Sequence, residues 1–166
     1  LSIGLPIAIL LIGGLGLPGG CVYIERHLLR SRTWDCAVSL AGPAANFALA
    51  LMLAAPFYLG FVDPYSTAPF WQAYAFLVVL QICAGVFNLI PIPGLDGFHA
   101  ILAWFDYEFQ ARMRALSAYG LLIIFILFWN VEPISQGFWM AVFTAASYLG
   151  VPPDMAIAGL EEFMIL

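Results

Sequence analysis

An all-α, polytopic membrane protein is what this chain encodes, and three features of its sequence say so. Of its 166 residues, 64% are hydrophobic and only 9% charged, against about half and about a quarter in soluble domains. Mean hydropathy is +0.99. The apolar residues fall into runs at positions 1–17, 37–59, 70–90, 116–129 and 134–149. A helix needs about 20 apolar residues to cross a bilayer, so the chain has room for about four to five transmembrane helices. The second and third runs are long enough to span, the first is short and ends in Gly13, Gly14 and Gly16, and the last is punctuated by Gly137 and closed by Pro152 and Pro153.

The runs set the topology. All five basic residues lie in two clusters, Arg26, Arg30 and Arg32 before the second run and Arg112 and Arg114 before the fourth. Two spans separate the clusters, so both face the same side, which the positive-inside rule makes the cytoplasm. The opposite loops are expected around Asp63 and around Glu132-Pro133, which carry acids and no base. Trp71, Trp129 and Trp139 are expected at span ends as interfacial anchors. Gly19-Gly20-Cys21-Val22-Tyr23-Ile24, after Leu17-Pro18, reads as a turn with a β-prone run, hence a short β-hairpin near the cytoplasmic face.

Several function classes drop out. Net charge is −5 and lysine is absent, so a phosphate-binding surface has almost nothing to be built from and nucleic acid is no partner. Cys21, Cys36 and Cys83 lack the spacing of a disulfide framework or a zinc knuckle and read as small packing residues. The chain opens on Leu1, without the basic start and cleavage site of a signal peptide, as though cut from something longer.

Chemistry concentrates in two segments. Asn88-Leu89-Ile90-Pro91-Ile92-Pro93-Gly94-Leu95-Asp96-Gly97 ends a hydrophobic run with two prolines, two glycines and a carboxylate. The prolines stop the helix, and non-helical backbone near membrane depth is tolerated where it is buried in protein or lines a watery cavity. Asp96 reads equally as a functional acid or as a turn acid capping a helix that begins near Phe98. The other segment, Ser39-Leu40-Ala41-Gly42-Pro43-Ala44-Ala45-Asn46, lies in the second run. Ala41, Gly42, Ala45 and Ala48 make a small-residue face open to close approach, and Pro43 frees a carbonyl. The Asn46 amide can hold an extended peptide backbone or bond to a neighbouring helix.

Together the two segments resemble the site-2 protease family of intramembrane zinc metallopeptidases. Gly42-Pro43-Ala44-Ala45-Asn46 is similar to that family's G-P-x-x-N segment, and Asn88 with Pro91, Leu95, Asp96 and Gly97 to its N-x-x-P-x-x-x-L-D-G segment. The resemblance extends to Gly16-Leu17-Pro18-Gly19-Gly20 with Val22-Tyr23-Ile24, and to Gln110-Ala111-Arg112-Met113-Arg114 and Gly150-Val151-Pro152-Pro153, nearly the whole chain. It implies Zn2+ held by Asp96 and by two histidines of an H-E-x-x-H helix. A zinc-bound water, deprotonated by that motif's glutamate, would attack a peptide bond of a transmembrane or juxtamembrane substrate. Gly42, Pro43 and Asn46 would meet the substrate, with Asn88, Pro91, Pro93, Leu95 and Gly97 shaping the turn around Asp96.

The departure is that His27 and His99 are the sole histidines and no H-E-x-x-H occurs. The expectation is therefore a single transmembrane peptidase-like domain over residues 1–166, N-terminally truncated, supplying one zinc ligand of three and inactive as it stands. The alternatives are a non-catalytic relative that binds helices as a scaffold, and a small transporter with an ion site at residues 91–97. His99, three residues after Asp96, reads as a polar packing residue, His27 as a solvated one, and Asp106 and Glu108 as surface partners of Arg112. Phe125, Phe128 and Trp129 follow lipid or helix-packing logic. The expected setting is the inner membrane, multi-pass, with lipid and a peptide substrate as partners and the oligomeric state open.

Overall fold

The structure, a computed structural model, describes residues 31–164. The apolar run at 1–17, the hairpin expected over 19–24, Cys21 and His27 lie outside the described residues; among the described residues there is no strand.

Helix α1 (Arg32–Tyr58) starts at Ser31, whose hydroxyl accepts from the Trp34 amide. The helix thus begins five residues before the apolar run, so its first turns carry Arg32 and Asp35. At 27 residues it is about 40 Å long, more than the roughly 30 Å of bilayer hydrocarbon. Helix α2 (Pro69–Leu89) opens with proline at its first position, where a missing N–H costs nothing. It stops because Pro91 disfavours helix at the residue before it, and Ile90 is extended (φ −62°, ψ 132°). These two helices are long and apolar enough to cross a membrane, and their outward faces suit lipid: Leu51 and Met52 of α1 are 59% and 65% exposed.

A short helix α3 (Asp96–Leu102) follows the proline turn, and the amphipathic α4 (Tyr107–Leu116) buries none of its residues. Asp106 caps α4, accepting from the Phe109 amide at 2.9 Å. Glu108 and Arg112 pair across one turn at 3.8 Å in the open, as the sequence predicts. A 3-10 turn (Ser117–Tyr119) leads into α5 (Gly120–Asn130), followed by α6 (Glu132–Tyr148) and α7 (Pro153–Met164).

The fourth and fifth apolar runs do not make two further crossings. Helix α5 has 11 residues, about 16 Å, too short to span, and the α5–α6 pair bends by 96° at Val131. Both ends of α5 meet the C-terminal end of α2 or the turn after it. Gly120 lies on Pro93, and the Phe128 ring is 6.3 Å from that of Phe87. Helix α6 then runs antiparallel to α2, from Phe138 beside Phe87 at 6.4 Å to Gly150 against the backbone of Tyr58. The described residues thus hold two spans, or three if the bent pair is counted as one.

Two expectations are corrected here. Because α6 starts at the Phe87 end of α2, Glu132-Pro133 lies toward the same end as Asp96 and not with the Asp63 loop. The charge pattern misled because a short helix that turns back is as apolar as one that crosses. Trp139 sits in the middle of α6, its ring 5.9 Å from that of Phe143, rather than at a span end. Trp71 is near the start of α2, in an aromatic cluster with Phe57, Phe70 and Tyr74, and Trp129 closes α5, stacked on Phe125 at 5.1 Å.

Helix α2 is the hub of the core. Its Ala75, Val78, Val79 and Ile82 pack with Ala50, Ala54 and Phe57 of α1, with Phe138, Val142 and Ala146 of α6, and with Met155 and Ala156 of α7. The α1 members recur at three- and four-residue spacing, one face of a helix. Fully burying each larger side chain contributes about 1.5–3 kcal/mol.

Candidate functional site

The C-terminal end of α2 places Asp96. Beyond Ile90 the chain makes a tight turn at Pro91, with the Ile92 amide donating to the Ile90 carbonyl at 2.8 Å, and then a β-turn closed by the Leu95 amide on the Ile92 carbonyl at 3.1 Å. Pro93 and Gly94 are its central residues, and Gly94 has φ +104°. Proline followed by a residue with positive φ is the arrangement of a type II turn, which favours glycine at the second position. Asp96 comes next as the first residue of α3. The helix therefore starts at the acid itself, which stands in its first turn.

Helix α3 folds back over the first half of α1. At one end the Arg32 guanidinium donates to the Trp104 carbonyl at 3.3 Å; at the other, Asp96 reaches Gly42. A Cβ built on Gly42 would stand 3.0 Å from Asp96 Oδ2, so a side chain at this position would press on the carboxylate. The approach is closed from behind at Gly97, which is buried against the backbone of Leu89 with no room for a Cβ. Both glycines are needed here for close contact.

The G-P-x-x-N and L-D-G segments are thereby brought together, although they lie on different helices. Asn46 is half-buried one turn beyond Gly42, on the flank that carries the Asp96 contact. Pro43 is buried in the α1 face turned to its neighbours. Ala41, Gly42, Ala45 and Ala48 are exposed, and Asp96 at the start of α3 rests on this face at Gly42. The packing stripe of α1 is Ser39, Pro43, Ala50, Ala54 and Phe57.

Two polar features escaped sequence reasoning. Ser39 is 5% exposed and its Oγ has no hydrogen-bond partner. Its carbonyl also loses the usual helical donor, because residue 43 is a proline without an N–H. Pro43 signals the second fact in the sequence; nothing signals the first. The other feature is the packing of Ser117 and Gly120 against the turn of Pro93 and Gly94.

Metal-binding capacity is partial. Among the described residues no three His, Cys, Asp or Glu side chains group closely enough to hold an ion. Asp96 offers an oxygen ligand suited to a hard or borderline cation such as Zn2+. His99 lies half-buried one turn further along α3, its ring 6.1 Å from that of Phe98.

Over 160 residues, 96% of this chain, the sequence is 40% identical to "Putative zinc metalloprotease Rip2" of Mycolicibacterium smegmatis. It is equally similar to the protein of that name in Mycobacterium tuberculosis. A more distant relative, "Putative zinc metalloprotease YwhC" of Bacillus subtilis, is 27% identical over 134 residues, 77% of this chain. The chain spans 60% of the length of each of these relatives. No family model matches the chain, and neither does a solved structure. The juxtaposition of Gly42 with Asp96 joins the two segments by which the sequence resembles the site-2 protease family.

Proposed function

We propose that the protein carrying this chain is an intramembrane zinc metalloprotease that cleaves peptide bonds of transmembrane or juxtamembrane substrates, with Asp96 as one zinc ligand. The single observation behind this reading is the Asp96 carboxylate seated against the bare Cα of Gly42. That seat lies at the end of a span, where an ionisable residue facing the bundle is a functional candidate.

This chain's own residues would act in three ways. Asp96 presents an oxygen at a fixed place, because α3 starts at that residue and Gly97 packs it down onto α2. The exposed strip of Ala41, Gly42, Ala45 and Ala48 leaves room beside that oxygen for an extended peptide and for the histidine ligands that this chain lacks. Asn46, one turn along the strip, would hydrogen-bond the substrate backbone and hold it in line. Zinc, when bound, supplies an activated water and a Lewis acid for the peptide carbonyl. The setting is a cell membrane crossed several times, with the arginine clusters at Arg26–Arg32 and Arg112–Arg114 on the cytoplasmic side and lipid around the bundle.

The relatives' printed names, zinc metalloproteases, support the reaction class. The test is direct. The full-length protein, reconstituted in vesicles with a transmembrane peptide, should carry an H-E-x-x-H helix, and cleavage should stop on chelation of zinc and on Asp96→Ala. Function unchanged by Asp96→Ala would favour the helix-binding scaffold and end the protease reading.

A further inference from the structure

The turn that delivers Asp96 is gripped from a distant part of the chain. In a turn with proline and then positive φ, the central peptide is flipped and its carbonyl takes no part in the closing hydrogen bond. Here that carbonyl belongs to Pro93, and it abuts the Cα of Gly120 so closely that a Cβ on Gly120 would overlap it. The contact is reciprocal. A Cβ on Gly94 would lie 3.2 Å from the Ser117 carbonyl and 4.0 Å from the Gly120 Cα. Gly120 is buried, and the Ser117 hydroxyl beside it is buried without a partner. A buried hydroxyl without a partner is a cost, so local hydrogen bonding does not account for the serine's place here.

Backbone meets backbone on both sides of this joint, and no side chain can swing aside to relieve a misfit. Any displacement of the 3-10 corner moves the Pro93-Gly94 peptide, and Asp96 begins only two residues further on. The other supports of Asp96, Gly97 on Leu89 and the carboxylate on Gly42, come from α2 and α1. The corner at 117–120 supplies a further support and joins it to α4, none of whose residues is buried.

We propose that Gly120, with the corner Ser117–Gly120, positions the metal-ligand turn. The Gly94–Gly120 backbone joint sets where the Asp96 carboxylate stands, and Gly120 is a positioning residue for zinc binding. The inference rests on the reading of Asp96 as a zinc ligand.

The experiment uses full-length protein with Gly120→Ala, and Gly137→Ala as the matched control. A Cβ on Gly137 meets nothing within 4 Å, and both changes put alanine where glycine stood in a helix. Zinc affinity is measured by competition with a chelator, and the ligand field by the visible spectrum of the Co2+-loaded protein. Helical content and the thermal midpoint report the fold. Gly120→Ala is expected to bind zinc roughly tenfold to a hundredfold more weakly, in the range seen when groups that orient metal ligands are lost. Its Co2+ spectrum should be altered, while Gly137→Ala matches wild type.

Gly94→Asn serves as the milder variant should Gly120→Ala fail to fold. Asparagine tolerates positive φ better than other residues, yet its Cβ presses on the Ser117 carbonyl, so the same loss in smaller degree is expected. Wild-type affinity and spectrum in both folded variants, with zinc lost in Asp96→Ala, would overturn the inference and leave the protease reading standing. Wild-type protein that binds no zinc, or Asp96→Ala protein that keeps it, would overturn the reading and the inference with it.

Discussion

Asp96 Oδ2 lies 3.0 Å from the position of a Cβ on Gly42. A glycine in the interior of a spanning helix costs about 1 kcal/mol relative to alanine. Here it opens a seat for a carboxylate from another helix.

Gly42→Ala should therefore separate stability from function. The helix gains from alanine, so the thermal midpoint should not fall, while the carboxylate is pushed by a few tenths of an ångström. Displacements on the ångström scale cost about 100-fold in rate, so a loss of about tenfold in proteolysis of a reconstituted substrate is expected. Gly42→Val should abolish it. Melting curves and cleavage assays on the same preparations check both halves.

Asn46→Ala should leave zinc content unchanged and lower kcat/KM, because its amide would contact the substrate and not the metal. Removal of a well-placed hydrogen-bond donor costs about 100-fold or more in other hydrolases. Metal analysis alongside steady-state kinetics distinguishes this from loss of a ligand. His99→Ala should likewise retain zinc.

Ser39→Ala removes a buried hydroxyl that has no partner. Desolvation of that group is a cost without compensation, so the alanine variant should be more stable by about 1 kcal/mol. Thermal unfolding in detergent reads the shift, and a loss of stability would mean that the hydroxyl has a partner in the whole protein.

Ile82→Ala tests the hub. Ile82 is 1% exposed, between α1, α6 and α7, and its truncation should cost about 2–5 kcal/mol. Met52→Ala, on the exposed face of α1 at 65%, should cost far less.

The parts of this fold that local chemistry dictates were legible in the sequence. Unbroken apolar runs mark α1 and α2, Pro91 ends α2, and Pro93-Gly94 makes the turn ahead of Asp96. The meeting of Gly42 with Asp96 was reachable only through the resemblance to site-2 proteases, since no periodicity links the two. What stayed hidden depends on contacts between distant segments. The run at 116–129 is as apolar as a span, yet Phe128 finds Phe87 and Phe138, and the chain turns back. Gly120 looks like an ordinary break before an apolar run, and its significance comes from Pro93. The buried stripe of α1, Ser39, Pro43 and Ala50, lies one step round the helix from its small-residue face.

Zinc content of the purified full-length protein, compared between wild type and Asp96→Ala, bears most directly on the role given to Asp96. Stoichiometric metal in the wild type and a near-complete loss in a variant with unchanged helical content is the expected outcome. Equal zinc in the two proteins would contradict it.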